Sequence, residues 1–205
     1  VSFQDVTVYD NKENSFFGAK DANRMNGALN SIASVINTIV ATGAGAHNAI
    51  YRGKSLGSAV TEAQWEAIKN GTFKDMYIGD YWTIGGVTYR IAAFDYYLRT
   101  GDTDMTTHHV TLVPDGAMYN HVMNDSNVTT GGYAGSKMYT TGLADAKATI
   151  NNAFGSAHIL THRQYLCNAV SNGKPSGGSW YDSTVELMTE QNVYGGKVYS
   201  AVNNG

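Results

Sequence analysis

The chain has 205 residues and a formal net charge of −3, and only 15% of its residues are charged, against roughly 25% in an ordinary soluble domain. The hydrophobic fraction of 42% excludes a charged disordered chain, and the 23 glycines follow no triplet repeat, which excludes collagen. The negative net charge also excludes the basic field that would hold nucleic acid or an anionic membrane.

The single cysteine, Cys167, cannot form an internal disulfide or a cysteine zinc cluster, so packing and hydrogen bonds must hold the fold together. Residues 1–5 contain no basic region followed by an apolar run, so no signal peptide is visible. Apolar stretches stay shorter than the roughly 20 residues that span a bilayer. We therefore expect a soluble chain made in the cytoplasm, without a cofactor, a metal ion or a membrane partner.

Residues 1–24 are polar and carry most of the early charges, so we interpret them as a lead-in segment with a short strand at residues 6–9. Residues 25–42 form the first predicted helix. Its apolar side chains are spaced by four, three, four and three residues, which is heptad spacing over two repeats. These side chains, called the heptad face below, are Met25, Leu29, Ile32, Ile36 and Ile39.

This helix has two interpretations that the sequence leaves open. No Asp, Glu, Lys or Arg occurs from Met25 to Ile50, whereas the outer face of a monomeric surface helix normally carries charges. Leu and Ile at the heptad positions favour a homo-oligomer, preferably a trimer. The alternative is a helix that packs on its own domain, because convincing coiled coils sustain three or four heptads. Residues 42–46, which are rich in glycine, are expected to end the helix and to act as a hinge.

The chain therefore divides into an anchoring and oligomerisation segment, residues 1–46, and a globular head, residues 47–205. In the head, Thr61 and Gln64 fit a capping box for a short helix that ends at Lys69. This is a strong local signal, because both side chains satisfy backbone N–H groups that the first helical turn leaves free.

The most β-rich part of the head follows this short helix. Residues 81–84 and 87–94 flank a Gly-Gly pair at 85–86, which predicts a β-hairpin. Residues 109–113 form a further predicted strand, which Pro114 is expected to stop because proline donates no backbone hydrogen bond.

The second half of the head favours helices. Ser136 is expected to cap a helix that carries Met138, Leu143, Ala146, Ile150 and Phe154. Residues 162–170 form a second candidate helix. Ser183 is expected to cap a third helix, which carries Val185, Leu187 and Met188.

Residues 197–202 form a last predicted strand, and the glycine- and serine-rich residues 129–132 and 174–179 are predicted loops. Strands come first and helices follow separately, rather than alternating with them. This order predicts an α+β fold, with a heptad-spaced helix followed by a domain of antiparallel hairpins and short helices.

The sequence contains no catalytic motif that requires an enzyme. His158 and His162 are four residues apart, but Ile159 stands where a metalloprotease needs glutamate, so we interpret both as polar residues of a helix start or turn. Residues 102–104 and 124–127 offer oxygen ligands without a calcium-loop pattern, so solvated turns are expected there. A nucleophile elbow and phosphate-binding glycine loops are missing from the sequence.

The aromatic residues are more informative about function. Fourteen Tyr, three Trp and six Phe accompany many small hydroxyl and amide side chains, a combination that suits binding of a glycan or a protein. The candidate ligand-binding residues are Tyr133, Trp180, Tyr181 and Asp182. For any single ring, the alternative interpretation is that it belongs to the core.

Five strings occur in order along the head: GAHNAIYRGK (45–54), FKDMYIGDYW (73–82), GYAGSKM (132–138), LTHR (160–163) and SWYDSTVELM (179–188). Together they resemble a domain in predicted virion proteins of phages that infect Gram-positive, often gut, bacteria. The resemblance covers about three quarters of the chain. It implies a phage structural protein, of the kind described as tail fibre, head fibre or minor structural protein, and brings no catalytic residues with it.

From this resemblance we expect a non-enzymatic protein of the virion surface, with other virion proteins and a host cell-surface glycan as partners. One alternative is a head-fibre or decoration protein whose N-terminal segment grips the capsid. A second is a virion-associated hydrolase of cell-wall glycans. Similar chains commonly continue into another aromatic, arginine-containing segment beyond the point that corresponds to residues 203–205, and the sequence leaves open whether this chain is a truncated form.

Overall fold

A computed structural model describes residues 18–41, 43–167, 170–171, 174–175 and 177–195. The fold is α+β, as the sequence predicted: an N-terminal helix is followed by an antiparallel-rich mixed domain. The predicted strands at residues 6–9 and 197–202 lie outside the described residues.

The N-terminal helix, α1, spans Ala19–Ala41 and begins before the predicted start at residue 25. Its first turn includes Asp21, which lies 3.9 Å from Arg24, so Lys20, Asp21 and Arg24 belong to the helix rather than to a lead-in segment. Residues 1–17 of that predicted segment lie outside the described residues. A second helix, α2, spans Gly43–Asn48. Residues 43–46, predicted to be a hinge, are therefore helical, and the positive φ of Gly43 (+60°) marks the start of α2.

The third helix, α3, spans Glu62–Lys69 and confirms the predicted capping box. Thr61 Oγ1 accepts a hydrogen bond from Gln64 N, and Gln64 Oε1 accepts one from Thr61 N. The same Gln64 oxygen accepts a hydrogen bond from Trp82 Nε1 at 3.1 Å, which connects the helix cap to the neighbouring strand.

A four-stranded sheet, in the order β1-β2-β3-β4, forms the centre of the domain. Its strands are β1 (Ser55–Gly57), β2 (Tyr81–Ile84), β3 (Val87–Phe94) and β4 (Val110–Pro114). The β1–β2 pair is parallel and the others are antiparallel. The predicted hairpin is confirmed, since Gly85 and Gly86 have φ values of +59° and +82°, which suit a tight two-residue turn. Pro114 belongs to β4 and pairs with Tyr89, which an edge strand tolerates.

The core lies on one side of this sheet. Its main members are Phe73, Met76, Trp82, Ile91 and Phe94. A β-bulge between Ile91 and Ala93 shifts the alternation of β3, so that Ile91 and Phe94 both point into the core. The buried ring of His47 in α2 contacts Phe73 and Phe94, which fixes α2 on the domain.

The helix predicted after Ser136 is present but interrupted. Ser136 Oγ accepts a hydrogen bond from Tyr139 N, and a π-helical turn, Met138–Gly142, precedes helix α4, Ala144–Phe154. A side chain at Gly142 would collide with the His121 ring. The last residue of the π-helical turn therefore has to be glycine for the His121 ring to pack against it. A short 3₁₀ turn, Ser156–His158, follows α4.

The predicted helix at residues 162–170 is wrong. These residues contain strand β5, His162–Cys167, which pairs with β8, Gly178–Ser183, as an antiparallel ribbon. Two-residue strands β6 (Val170–Ser171) and β7 (Lys174–Pro175) pair between them, so residues 174–179 are only partly a loop. No local sequence pattern indicated that β8 would pair with β5. This pairing overrides the helical pattern that residues 162–170 show when they are considered alone.

The predicted helix after Ser183 is also wrong. Ser183 ends β8, and helix α5 begins later and spans Glu190–Tyr194. Thr189 caps it, because Thr189 Oγ1 accepts a hydrogen bond from Asn192 N while Thr189 N donates to Asn192 Oδ1. Among the described helices, none is long and apolar enough to cross a bilayer.

Candidate ligand-binding face

The β5–β8 ribbon has two chemically different faces. Side chains alternate along each strand, so residues that pair in register share a face. The outer face carries exposed or half-exposed side chains: Arg163, Tyr165, Trp180 and Asp182. The inner face carries buried or half-buried side chains: His162, Gln164, Leu166, Tyr181 and Ser183.

A buried polar pair anchors the inner face. His162 Nε2 lies 2.8 Å from Glu186 Oε1, and these side chains are only 11% and 9% exposed. The ring of Tyr97, which follows β3, stacks on His162 with 4.2 Å between centroids. Burial, with Glu186 nearby, raises the pKa of Tyr97. The inner face therefore packs against the loop after β3, which contains Tyr97.

Two further tyrosines connect the inner face to the π-helical region. Tyr139 and Ser183 share a hydrogen bond of 2.6 Å between their hydroxyl oxygens. The Tyr133 hydroxyl accepts a hydrogen bond from Leu187 N, and the rings of Tyr133 and Tyr139 meet edge to face. Burial raises the pKa of Tyr133 to about 12. These phenols therefore support the ribbon from below.

The outer face presents two neighbouring aromatic rings. Trp180 is 37% exposed and Tyr165 is 58% exposed, although both lie in regular strands. They are register partners, and their rings meet edge to face with 5.4 Å between centroids. Gly101 approaches this pair from the loop after β3: a Cβ atom on Gly101 would lie 3.6 Å from Trp180 Cζ3.

A charged group continues the outer face beside the rings. Arg163 Nε donates to Asp102 Oδ1 at 2.5 Å, and Arg163 Nη1 donates to Asp182 Oδ1 at 3.0 Å. The guanidinium therefore bridges two carboxylates from different segments. Hydrogen bonding to Arg163 lowers the pKa of Asp102, so this carboxyl is ionised at neutral pH.

The predicted ligand-binding residues lie on both sides of the ribbon. Trp180 and Asp182 belong to the outer face. Tyr181 points to the inner face, where its ring meets that of Tyr139 edge to face, and Tyr133 lies beneath the ribbon. The structure therefore does not bring all four residues to one surface.

Three outer-face contributors were missed by the sequence interpretation: Arg163, Tyr165 and Asp102. Tyr165 was assigned to a helix, and Asp102 was interpreted as part of a solvated turn. The usable signal was alternation, since Arg163 and Tyr165 are two residues apart, as are Trp180 and Asp182.

His158 and His162 lie in different elements and have different partners. His158 stacks on Trp65 with 4.0 Å between ring centroids, whereas His162 lies in β5 beside Glu186. His162 is therefore a strand residue rather than a residue of a helix start. Within the described part of the chain, no three His, Cys, Asp or Glu side chains are grouped to hold a metal ion.

Much of the heptad face of α1 is open in the single chain. Met25, Leu29 and Ile32 are 51%, 48% and 56% exposed. The buried side chains of this helix are Ala22, which lies seven residues before Leu29 and about 20° from it around the helix axis, and Asn26, which lies about 60° from Leu29. Ile36 is half-buried, and the side chain of Ile39 lies outside the described part. About half of each of the Met25, Leu29 and Ile32 side chains is therefore open to solvent, while Ala22 at the edge of the same side is buried.

Comparison with known proteins gives no relative: no family model, no curated protein and no solved structure matches the chain.

Proposed function

We propose that the chain is a fibre-type structural protein of a phage virion surface, whose head contributes to host attachment without catalysis. The observation that carries the attachment role is the outer face of the ribbon. It holds two exposed aromatic rings beside a bridged pair of carboxylates, on strands whose inner face is anchored by buried polar contacts. Aromatic contact area on a rigid support suits recognition.

The heptad face of α1 supports a homo-oligomer within this proposal. A helix of 23 residues is about 34 Å long and offers enough contact for a short helical bundle. Among its described side chains, three of the four large exposed apolar ones, Met25, Leu29 and Ile32, are ones that the heptad spacing assigns to sister chains, and the fourth, Val35, lies outside the heptad face. A trimer would also repeat the head three times and strengthen weak ligand contacts by avidity.

The charged group of the outer face favours binding over glycan hydrolysis. A glycosidase needs one carboxylic acid with a raised pKa as a proton donor. Asp102 has the opposite property, because Arg163 lowers its pKa. Its neighbour Asp182 bonds to the same guanidinium. This arrangement supports a non-catalytic head.

The proposed location is tested on purified particles with an antibody against the head, visualised by electron microscopy. Label at the tail tip or on fibres supports the proposal. Label spread over the capsid supports the decoration-protein alternative, and particles without label contradict both.

The oligomer is tested by the mass of the chain in solution. We expect three times the chain mass for the parent protein and the monomer mass for Ile32→Asp, because a charge would be buried in the helix bundle. Ser31→Asp is the matched control, since Ser31 is exposed and lies outside the heptad face, and it should remain trimeric. A monomeric parent or a trimeric Ile32→Asp would remove the argument from the heptad spacing.

A further inference from the structure

The outer face of the ribbon carries chemical information about its ligand. Asp102, Arg163 and Asp182 are 39%, 33% and 56% exposed, so all three reach solvent. Two carboxylates face one guanidinium, which leaves the group with a net negative charge. An anionic ligand would meet this charge directly, since the cation is already paired on both sides.

The hydrogen bonds of Arg163 sharpen this point. Besides the two contacts given above, Nη1 donates to Asp182 Oδ2 at 3.1 Å and Nη2 donates to Asp102 Oδ2 at 3.3 Å. All three guanidinium nitrogens therefore already donate to carboxylates. Each carboxylate can accept about four hydrogen bonds in total, so acceptor capacity remains on the exposed side of both. A guanidinium has five N–H groups, so at least one N–H of Arg163 is left over, but most of the free capacity of the group is to accept hydrogen bonds, and a matching ligand mainly donates them.

The aromatic rings supply the apolar half of the same surface. A Cβ atom on Gly101 would lie 3.6 Å from the Trp180 ring, and its chain neighbour Asp102 bonds to Arg163, so ring and carboxylates are close together. The φ of Gly101 is +94°, a backbone conformation that favours glycine and lets the loop come close to the ring. A ligand that covers both parts needs an apolar face and hydroxyl donors at its edge.

We propose that the outer face binds an uncharged, hydroxyl-rich ligand, namely sugar rings of a neutral polysaccharide. The C–H face of a sugar ring stacks on Trp180. Tyr165, whose ring stands at 75° to that of Trp180, contacts the edge of the same sugar, and the sugar hydroxyls donate to Asp102 and Asp182. This assignment rests on the attachment function proposed above and names the ligand class of that site. Phosphate-rich or carboxylate-rich polymers are the class that the face disfavours.

The test is native electrophoresis of the full chain through gels that contain defined polysaccharides. The neutral probes are dextran, mannan, galactan and a rhamnan, and the anionic probes are poly(glycerol phosphate) and hyaluronate. We expect at least one neutral polymer to retard the protein and neither anionic polymer to do so.

Variants then assign the retardation to the outer face. Trp180→Ala should weaken binding about tenfold, because stacking on a large ring is lost. Asp102→Asn should weaken it less, because an amide oxygen still accepts hydrogen bonds. Tyr51→Ala is the matched control: Tyr51 is 73% exposed, lies on the central-sheet side and should leave binding unchanged. Circular dichroism of each variant confirms that it is folded.

Three results would overturn the proposal: no retardation by any neutral polymer, stronger retardation by the anionic ones, or full retardation of folded Trp180→Ala. The particle-labelling experiment is independent of these results. A protein found on the particle that fails the gel test loses this ligand class alone, whereas a sugar-binding protein absent from the particle loses the virion assignment alone.

Discussion

The two faces of the β5–β8 ribbon come from the same twelve residues, yet their surroundings are opposite. On the inner face, His162, Leu166 and Ser183 are buried, and His162 and Ser183 meet groups from three other segments. On the outer face, Tyr165 and Trp180 mainly contact each other and remain exposed. The comparison teaches that aromatic richness alone does not locate a binding site. Strand alternation separates the rings that support the fold from those available to a ligand.

The largest expected difference between the faces concerns adjacent residues of β5. Leu166→Ala should lower the free energy of unfolding by about 3 kcal/mol, because it leaves a cavity beneath the ribbon. Tyr165→Ala should cost less than about 1 kcal/mol, since that ring is mostly in solvent. Urea denaturation followed by circular dichroism measures both. Equal losses would contradict the assignment of the two faces.

A smaller effect is expected from removing single hydroxyl groups. Tyr139→Phe leaves the buried Ser183 hydroxyl without its partner, at a cost of about 1–2 kcal/mol. Tyr165→Phe removes a hydroxyl from an exposed ring and should change stability by less than about 0.5 kcal/mol. The same denaturation experiment compares them. If Tyr139→Phe left the free energy of unfolding unchanged, the hydrogen bond to Ser183 would not contribute to the stability of the ribbon.

A further effect is a dependence of stability on alkaline pH. The pKa of Tyr133 is about 12 in the folded chain, against 10.0 for a free tyrosine. Between these values the unfolded chain releases the phenolic proton while the folded chain keeps it, so the free energy of unfolding falls as pH rises. Tyr133→Phe should reduce this fall between about pH 10 and about pH 12, measured by urea denaturation. If the free energy of unfolding fell with pH equally in the parent and in Tyr133→Phe, the Tyr133 hydroxyl would not be buried in the folded chain.

The sequence predicted those parts of the fold that short segments determine. The capping box of Thr61 and Gln64 and the Gly85–Gly86 turn each involve neighbouring residues, and both are present. The sequence also predicted the helix after Ser136, but it did not predict the π-helical turn within it. That turn depends on the close approach of His121 to Gly142. That approach comes from a distant segment and leaves no local pattern.

The candidate site was predicted only in part, for a related reason. Residues 162–170 contain good helix formers, and only pairing with residues 178–183 makes them a strand. Once that pairing is missed, Tyr165 and Arg163 cannot be placed beside Trp180 and Asp182. The bridge from Arg163 to Asp102 joins residues 61 positions apart, which composition and spacing do not reveal.

The most direct test of the whole account is a cryo-electron microscopy reconstruction of the intact virion at a resolution that shows side chains. The account predicts three copies joined along Met25, Leu29 and Ile32 of α1, with Trp180 and Tyr165 directed away from the particle. A reconstruction in which the chain is absent, α1 is single, or the outer face of the ribbon is covered by a neighbouring virion protein would contradict it.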